Sequence, residues 1–273
     1  MKWGIWTFEE YARMIDGVAA LRERHSHIKF VGPSAIDFEY HYLVTALHTL
    51  RGRFRFDALS HLLYVDRRGA PENPQGPFAA LEKFALARAI AQGASACRDK
   101  LLVTEVNWPL KDTGVYSPIG SPYLYPGQQV HGASVSESDY ADYMLRYLVQ
   151  AICSGMVERV YWWRLVARGF GLVDDTDARQ WRTRPAYDAL KYFLSRLGQS
   201  TFTEKLTSPE DTYLFAFERP DGERVVLAYT TRDRATVSTP GSCRALVDRD
   251  GKDLGQPGSE IDITGQPVYM VEG

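Results

Sequence analysis

The sequence predicts an α/β fold in which four parallel strand-plus-helix units precede a small antiparallel β domain. Three observations carry this. From Thr7 to Leu197, continuous apolar runs of strand length alternate with helical patterns, the signature of a parallel sheet covered by helices. After Ser200 the runs become short or alternating, with turns at Pro220-Asp221-Gly222 and Asp250-Gly251, as in a meander of antiparallel strands. One parallel strand also ends in a lone carboxylate, Val103-Thr104-Glu105-Val106-Asn107-Trp108. The domain boundary this implies lies between residues 1–200 and 201–273.

The elements follow in order. Thr7 is a helix cap, with Glu9 and Glu10 in the first turn. Phe8, Tyr11, Ile15, Val18 and Leu21 recur at helical spacing. The helix closes on the mildly basic run Arg22 to His27, where cations offset the macrodipole. Ile28 to Val31 reads as a short strand stopped by Gly32-Pro33. Phe38 to Leu50 is helical. Ala58 to Val65 is an apolar strand interrupted by Ser60 and His61. A Pro- and Gly-rich loop, Gly69 to Pro77, leads to an Ala-rich helix, Phe78 to Ala96, and then to a strand, Lys100 to Val106.

The loop Asn107 to Val135 is long enough to expect a function of it. Ser136 caps the next helix, with Asp139 at the capping-box position. That helix runs to about Ser154, and Val157 to Trp163 is the fourth strand. Thr183 is read as the cap of a last helix with Pro185 in its first turn. Five short strands are read beyond it: Tyr213 to Phe217, Val225 to Tyr229, Ala245 to Val247, Ile261 to Ile263 and Val268 to Val271.

Composition narrows the functional classes. The 273 residues carry a net charge of −2, with Lys and Arg spread along the chain. No basic stripe points to nucleic acid and no polybasic anchor to a membrane. No apolar run reaches transmembrane length, and no secretory h-region is read at the N-terminus; the compartment stays unassigned. Cys97, Cys153 and Cys243 lack metal or redox spacing. His41, His48 and His131 share no ligand spacing. No metal or cofactor is expected.

In a layered β/α fold, chemistry gathers at the C-terminal ends of the strands. His61, Glu105 and the Trp162-Trp163 pair fall there, on three different strands. A carboxylate at the end of an apolar strand is costly to bury unpaired. Glu105 is therefore either neutralised, with Arg164 the obvious candidate, or kept for work. The six tryptophans Trp3, Trp6, Trp108, Trp162, Trp163 and Trp181 cluster near strand ends and in the segments that follow them. Such faces suit sugar rings, and Tyr123 and Tyr125 can add to them. His61 reads either as a core histidine or as a hydrogen-bonding partner of the carboxylate or a sugar hydroxyl.

This ordered set resembles the retaining glycoside hydrolases of clan A, whose barrels carry two glutamates. The resemblance implies that Glu105 is the nucleophile ending the seventh strand. His61 and Tyr64 match sixth-strand positions, though His-Leu-Leu-Tyr is looser than the usual spacing. Trp162 or Trp163 matches the eighth. Asn107 and Trp108, directly after Glu105, complete the candidate substrate-binding set. The opening Trp-Gly-Ile-Trp-Thr-Phe-Glu-Glu-Tyr looks like the segment after the acid/base pair Asn-Glu, and Phe30-Val31-Gly32-Pro33 like the fifth strand. Gln266 to Tyr269 resembles the last strand of an accompanying β domain.

The chain thus reads as the C-terminal half of a TIM (β/α)8 barrel plus a β domain, with strands one to four and the acid/base glutamate expected before Met1. Glu9 and Glu10 lie too far along a helix to replace that glutamate, and Asp37, Glu39 and Asp66 are weak substitutes. The implied activity is retaining hydrolysis of O-glycosidic bonds in oligo- or polysaccharides, incomplete in this chain alone. Two other readings compete with it. One is a sugar-binding protein without catalysis; the other is a half-barrel that pairs with a second copy or another chain. Bare sheet edges at Ile28 to Val31 and Val157 to Trp163 predict self-association.

Overall fold

The computed structural model describes residues 7–36, 39–65, 69–74, 77–115 and 134–273. They fall into two compact units. The first takes Met1–Val65, Asn73–Val106 and Ser154–Trp162; the second takes Asp66–Glu72, Asn107–Cys153 and Trp163–Gly273.

The first unit is a parallel sheet with helices. Helix α1 (Phe8–Arg24) starts in a full capping box: Thr7 Oγ1 accepts from the Glu10 amide, and the Glu10 carboxylate accepts from the Thr7 amide. Those bonds hold the Glu10 carboxyl below its usual range. Strands β1 (Val31–Ile36), β2 (Ala58–Leu62), β3 (Leu101–Val106) and β4 (Arg159–Trp162) pair in parallel in that order. Helices α2 (Tyr40–Thr49) and α3 (Ala80–Gly93) make the crossovers. The basic end of α1 does more than offset a dipole. Arg22 donates to the Asp57 carboxylate and the Arg55 carbonyl, and its guanidinium lies 4.9 Å from the Phe54 ring.

β1 corrects one expectation. The strand begins where Ile28 to Val31 was to end, and it runs through Gly32-Pro33. An edge strand tolerates a proline because one of its sides needs no donor, and the register shift between Val31 and Ser34 absorbs the misfit. Gly32 is required by close packing: a Cβ there would meet the Phe56 ring at 2.9 Å.

The second unit joins α4 (Glu137–Cys153), a short hairpin of β5 (Val173–Asp174) and β6 (Arg182–Thr183), α5 (Pro185–Leu197) and the antiparallel strands. Ser136 caps α4 as expected, accepting from the Asp139 amide at 3.0 Å and donating to its carboxylate at 2.7 Å. Thr183 does not cap α5; it lies in β6. Pro185 occupies the first helical turn, so Arg184 takes the N-cap position without a side-chain bond.

The five expected strands sit within β8 (Thr212–Glu218), β9 (Arg224–Thr230), β11 (Cys243–Asp248), β13 (Glu260–Ile263) and β14 (Val268–Glu272). Three more were missed: β7 (Thr201–Lys205), β10 (Ala235–Ser238) and β12 (Asp253–Gly255). All three are short and mostly polar. β7 and β12 close the two edges of a six-stranded sheet ordered β12-β11-β14-β9-β8-β7, where polar residues blunt further pairing. β10 pairs with β13 in a second sheet. Leu214, Ala216, Val226, Ala228 and Met270 pack against Val237, Ile261 and Ile263 to make the core of this layer.

Buried ion pairs and hydrogen bonds tie α4 to Glu72 and to the antiparallel strands. Arg146 and Gln150 both donate to the Glu72 carboxylate, and Gln150 also donates to the Tyr229 hydroxyl at 3.2 Å. Arg249 donates to Asp142 and to the Ser138 carbonyl. Burial pushes the Asp142 carboxyl up to about 6 in spite of this arginine. Breaking the Arg146 pair leaves a charge stranded, so Glu72→Ala should cost about 3–5 kcal/mol. Asp16→Ala removes the half-exposed partner of Arg53 and should cost at most about 1 kcal/mol. Urea denaturation of both variants checks the contrast; equal losses would refute it.

Candidate active site

Glu105 stands near the end of β3, half-buried. Its register neighbour on β2 is Leu62. Two residues beyond, where the chain has left the strand, Tyr64 turns its hydroxyl onto Glu105 and donates to Oε1. Tyr64 is itself 5 % exposed. The Tyr64 amide donates to the Leu62 carbonyl at 3.1 Å, and its carbonyl accepts from Lys83 Nζ on α3 at 2.7 Å.

Glu105 makes no ion pair among the described residues. Arg164, the candidate neutraliser, donates instead to the Val166 carbonyl at 2.9 Å and lies over the Trp163 ring. Elsewhere Asp57, Glu72, Asp142, Asp174, Glu223 and Glu272 each face an arginine. A phenol donor keeps a carboxylate in place and leaves its charge intact.

His61 does not reach Glu105. Its ring is fully buried, edge-on to Tyr40 of α2 at 5.2 Å. Side chains alternate along a strand. Ser60 takes the opposite face, bonding Ser34 at 3.1 Å and Thr104 at 2.8 Å. That alternation sends His61 toward the helices. Neither ring nitrogen finds a well-formed hydrogen bond, although the carbonyls of Ala35 and Leu62 lie close. Burial pushes the imidazole down to about 4.

The aromatic positions divide. Trp162 is half-buried at the end of β4, beside Val106 in the register. Trp163 is 37 % exposed and packs on Phe170 at 5.4 Å. Trp108 is wholly buried between Tyr143 and Tyr147, its indole donating to the Gly69 carbonyl at 2.8 Å; it packs the second unit and offers no open face. Asn107 is buried too and donates to the Trp163 carbonyl at 2.6 Å. Trp3, Trp6, Asp37, Asp66, Tyr123, Tyr125 and His131 lie outside the described residues.

The second unit also holds a charged hollow of about 540 Å³, lined by Lys111, Arg168, Ser136, Thr176 and other polar residues. Glu137 and Asp174 on its wall are held by Arg182 and Arg184.

Sequence reasoning missed Lys83. It lies on the stripe of α3 that also buries Ala80, Phe84, Ala87 and Ala91. A lysine on an apolar stripe was the available signal.

The fold has counterparts among solved structures. An α-L-arabinofuranosidase from Thermotoga maritima, solved as an arabinose complex, superimposes with a TM-score of 0.60 at 13 % identity, covering 98 % of this chain and 62 % of the other. The fold is clan A glycosidase-like. A GH51 arabinofuranosidase from Xanthomonas axonopodis pv. citri gives 0.57 at 13 % identity, covering 98 % of this chain and 63 % of its own. A monomeric β-xylosidase from Caulobacter crescentus CB15 gives 0.57 at 14 %, covering 97 % and 65 %. This chain therefore spans less than two thirds of the length of these clan A-type structures. At such identities the likeness is one of fold. No family model and no curated protein matches the sequence.

The buried His61 gives a pH signature. A histidine held below its free value of 6.5 binds its proton more readily in the unfolded chain. The stability it contributes at neutral pH is therefore lost as pH falls from about 6.5 toward 4. Wild type should lose about 2–3 kcal/mol from this source between pH 7.5 and 4.5. His61→Leu should lose that much less over the same interval in urea titrations. Parallel losses in the two proteins would refute the assignment.

Proposed function

We propose that this chain carries the nucleophile of a retaining O-glycosidase acting on oligo- or polysaccharides, with Glu105 as that nucleophile. The observation that carries the reading is the Tyr64–Glu105 pair at the C-terminal ends of adjacent parallel strands, with no arginine on the carboxylate among the described residues. Similarity in fold to arabinofuranosidases and a β-xylosidase supports it.

The four strands are read as half of a (β/α)8 barrel, and β1 and β4 are its open edges among the described residues. Retention needs a second carboxyl group roughly 5 Å from the nucleophile, to protonate the leaving oxygen and later activate water. Glu10 cannot serve, because its carboxylate is tied to Thr7. Glu39 sits exposed at the start of α2. On this reading the acid/base residue comes from further strands of the barrel. Trp162, in the same unit as Glu105, remains a proposed sugar contact; the burial of His61 makes it a supporting residue.

Chemistry follows from the missing acid. Glu105 attacks an anomeric carbon productively only when the leaving group departs unprotonated, as an activated phenolate does. This polypeptide alone should leave natural oligosaccharides intact and release phenolate slowly from an activated aryl glycoside, with Glu105→Gln abolishing the release. A longer polypeptide that supplies an upstream half with its Asn-Glu pair should be faster by on the order of 10²–10⁴. Full activity on natural substrate from the short chain would overturn the reading.

The open edges predict behaviour in solution. A strand edge with unpaired amides and carbonyls recruits other chains, and Tyr161 on β4 and Val31 on β1 add exposed apolar surface, 48 % and 39 % exposed. The 273-residue chain should self-associate at micromolar concentration. Sedimentation of a clean monomer would count against the half-barrel.

A further inference from the structure

Lys83 is fully buried. Placing an ammonium in the interior costs several kcal/mol unless it is well bonded, and an apolar residue would fill this place on the α3 stripe at less cost. The ammonium donates to the Tyr64 carbonyl at 2.7 Å. Tyr64 is the residue whose hydroxyl holds Glu105, yet it lies past the last strand residue, Leu62, where ladder bonds no longer fix the backbone. Its amide is anchored on Leu62 and its carbonyl on Lys83.

We infer that Lys83 is a positioning residue for the carboxylate site: by fixing the Tyr64 backbone from the helix side, it aims the phenol at Glu105. The chain of contacts runs from Lys83 Nζ to the Tyr64 carbonyl and, through the same residue, from the Tyr64 hydroxyl to Glu105 Oε1. The Lys83 charge also opposes protonation of the neighbouring His61. The inference gives Glu105 a working role, and so rests on the proposed function, but its test needs no turnover.

The test is the ¹³C chemical shift of the Glu105 carboxylate at pH 7.5, assigned by its loss in Glu105→Gln. Tyr64→Phe removes the donor and displaces the signal. Lys83→Met should reproduce at least half of that displacement. Lys83→Met combined with Tyr64→Phe should match Tyr64→Phe alone, because the effect runs through the phenol. A structural role confined to stability would not produce this non-additivity. If Lys83→Met does not fold, Lys83→Gln carries the same test, being polar but one bond too short to reach the carbonyl. An unmoved Glu105 signal in the folded lysine variant would overturn the inference, as would a lysine effect that persists undiminished without the Tyr64 hydroxyl. An inactive chain with the expected coupling leaves the inference standing; activity without the coupling leaves Glu105 standing and removes Lys83.

Discussion

The alternation of side chains across the parallel sheet decides what each strand end offers. On β2 one step separates Ser60, bonded across the open face to Ser34 and Thr104, from His61, buried against Tyr40. Two adjacent polar residues thus acquire opposite surroundings. The hydroxyls satisfy one another on the open face. The imidazole on the helix face is denied a proton by burial. Tyr64 escapes the alternation because it lies beyond the strand, where the backbone can turn its phenol toward β3.

Arginine settles the second unit. Arg184 is 1 % exposed and donates to the carbonyls of Ala167, Arg168 and Gly171, as well as to Glu137. One planar donor fork thereby organises the segment after β4 and ties it to the start of α4. Arg146 and Arg249 do similar work between α4 and the antiparallel strands. These charges are retained in the interior because several acceptors surround each guanidinium, which offsets their desolvation.

Much of the fold was legible, and for a physical reason. Strands of a parallel sheet are rich in apolar residues, so Ala58 to Leu62 and Leu101 to Val106 stand out despite Ser60, His61, Thr104 and Glu105. β7, β10 and β12 do not, because short polar strands carry little periodicity. The β1 boundary was misread because Gly-Pro ordinarily ends a strand, and an edge position is invisible without knowledge of pairing. At the site, Glu105 was singled out from the pattern of strand ends and Tyr64 from the family resemblance. The burial of His61 and Trp108 was not, since sequence gives a strand's composition more readily than the face each residue takes.

The distinction between a structural and a working carboxylate is therefore best drawn from the donor it faces. Asp57, Glu72 and Glu272 are each matched by arginine, which occupies their oxygens with a charged partner. Glu105 faces a phenol, and it stands at a strand end with part of its surface open. A neutral donor fixes one oxygen by direction and adds no opposite charge. On the proposed reading, this is what Glu105 needs as a nucleophile: a defined position without a neutralising partner among the described residues. Holding that geometry then falls to whatever fixes the phenol. The Tyr64 backbone has left the sheet, and on the inference drawn above Lys83 of the helix behind it takes that duty.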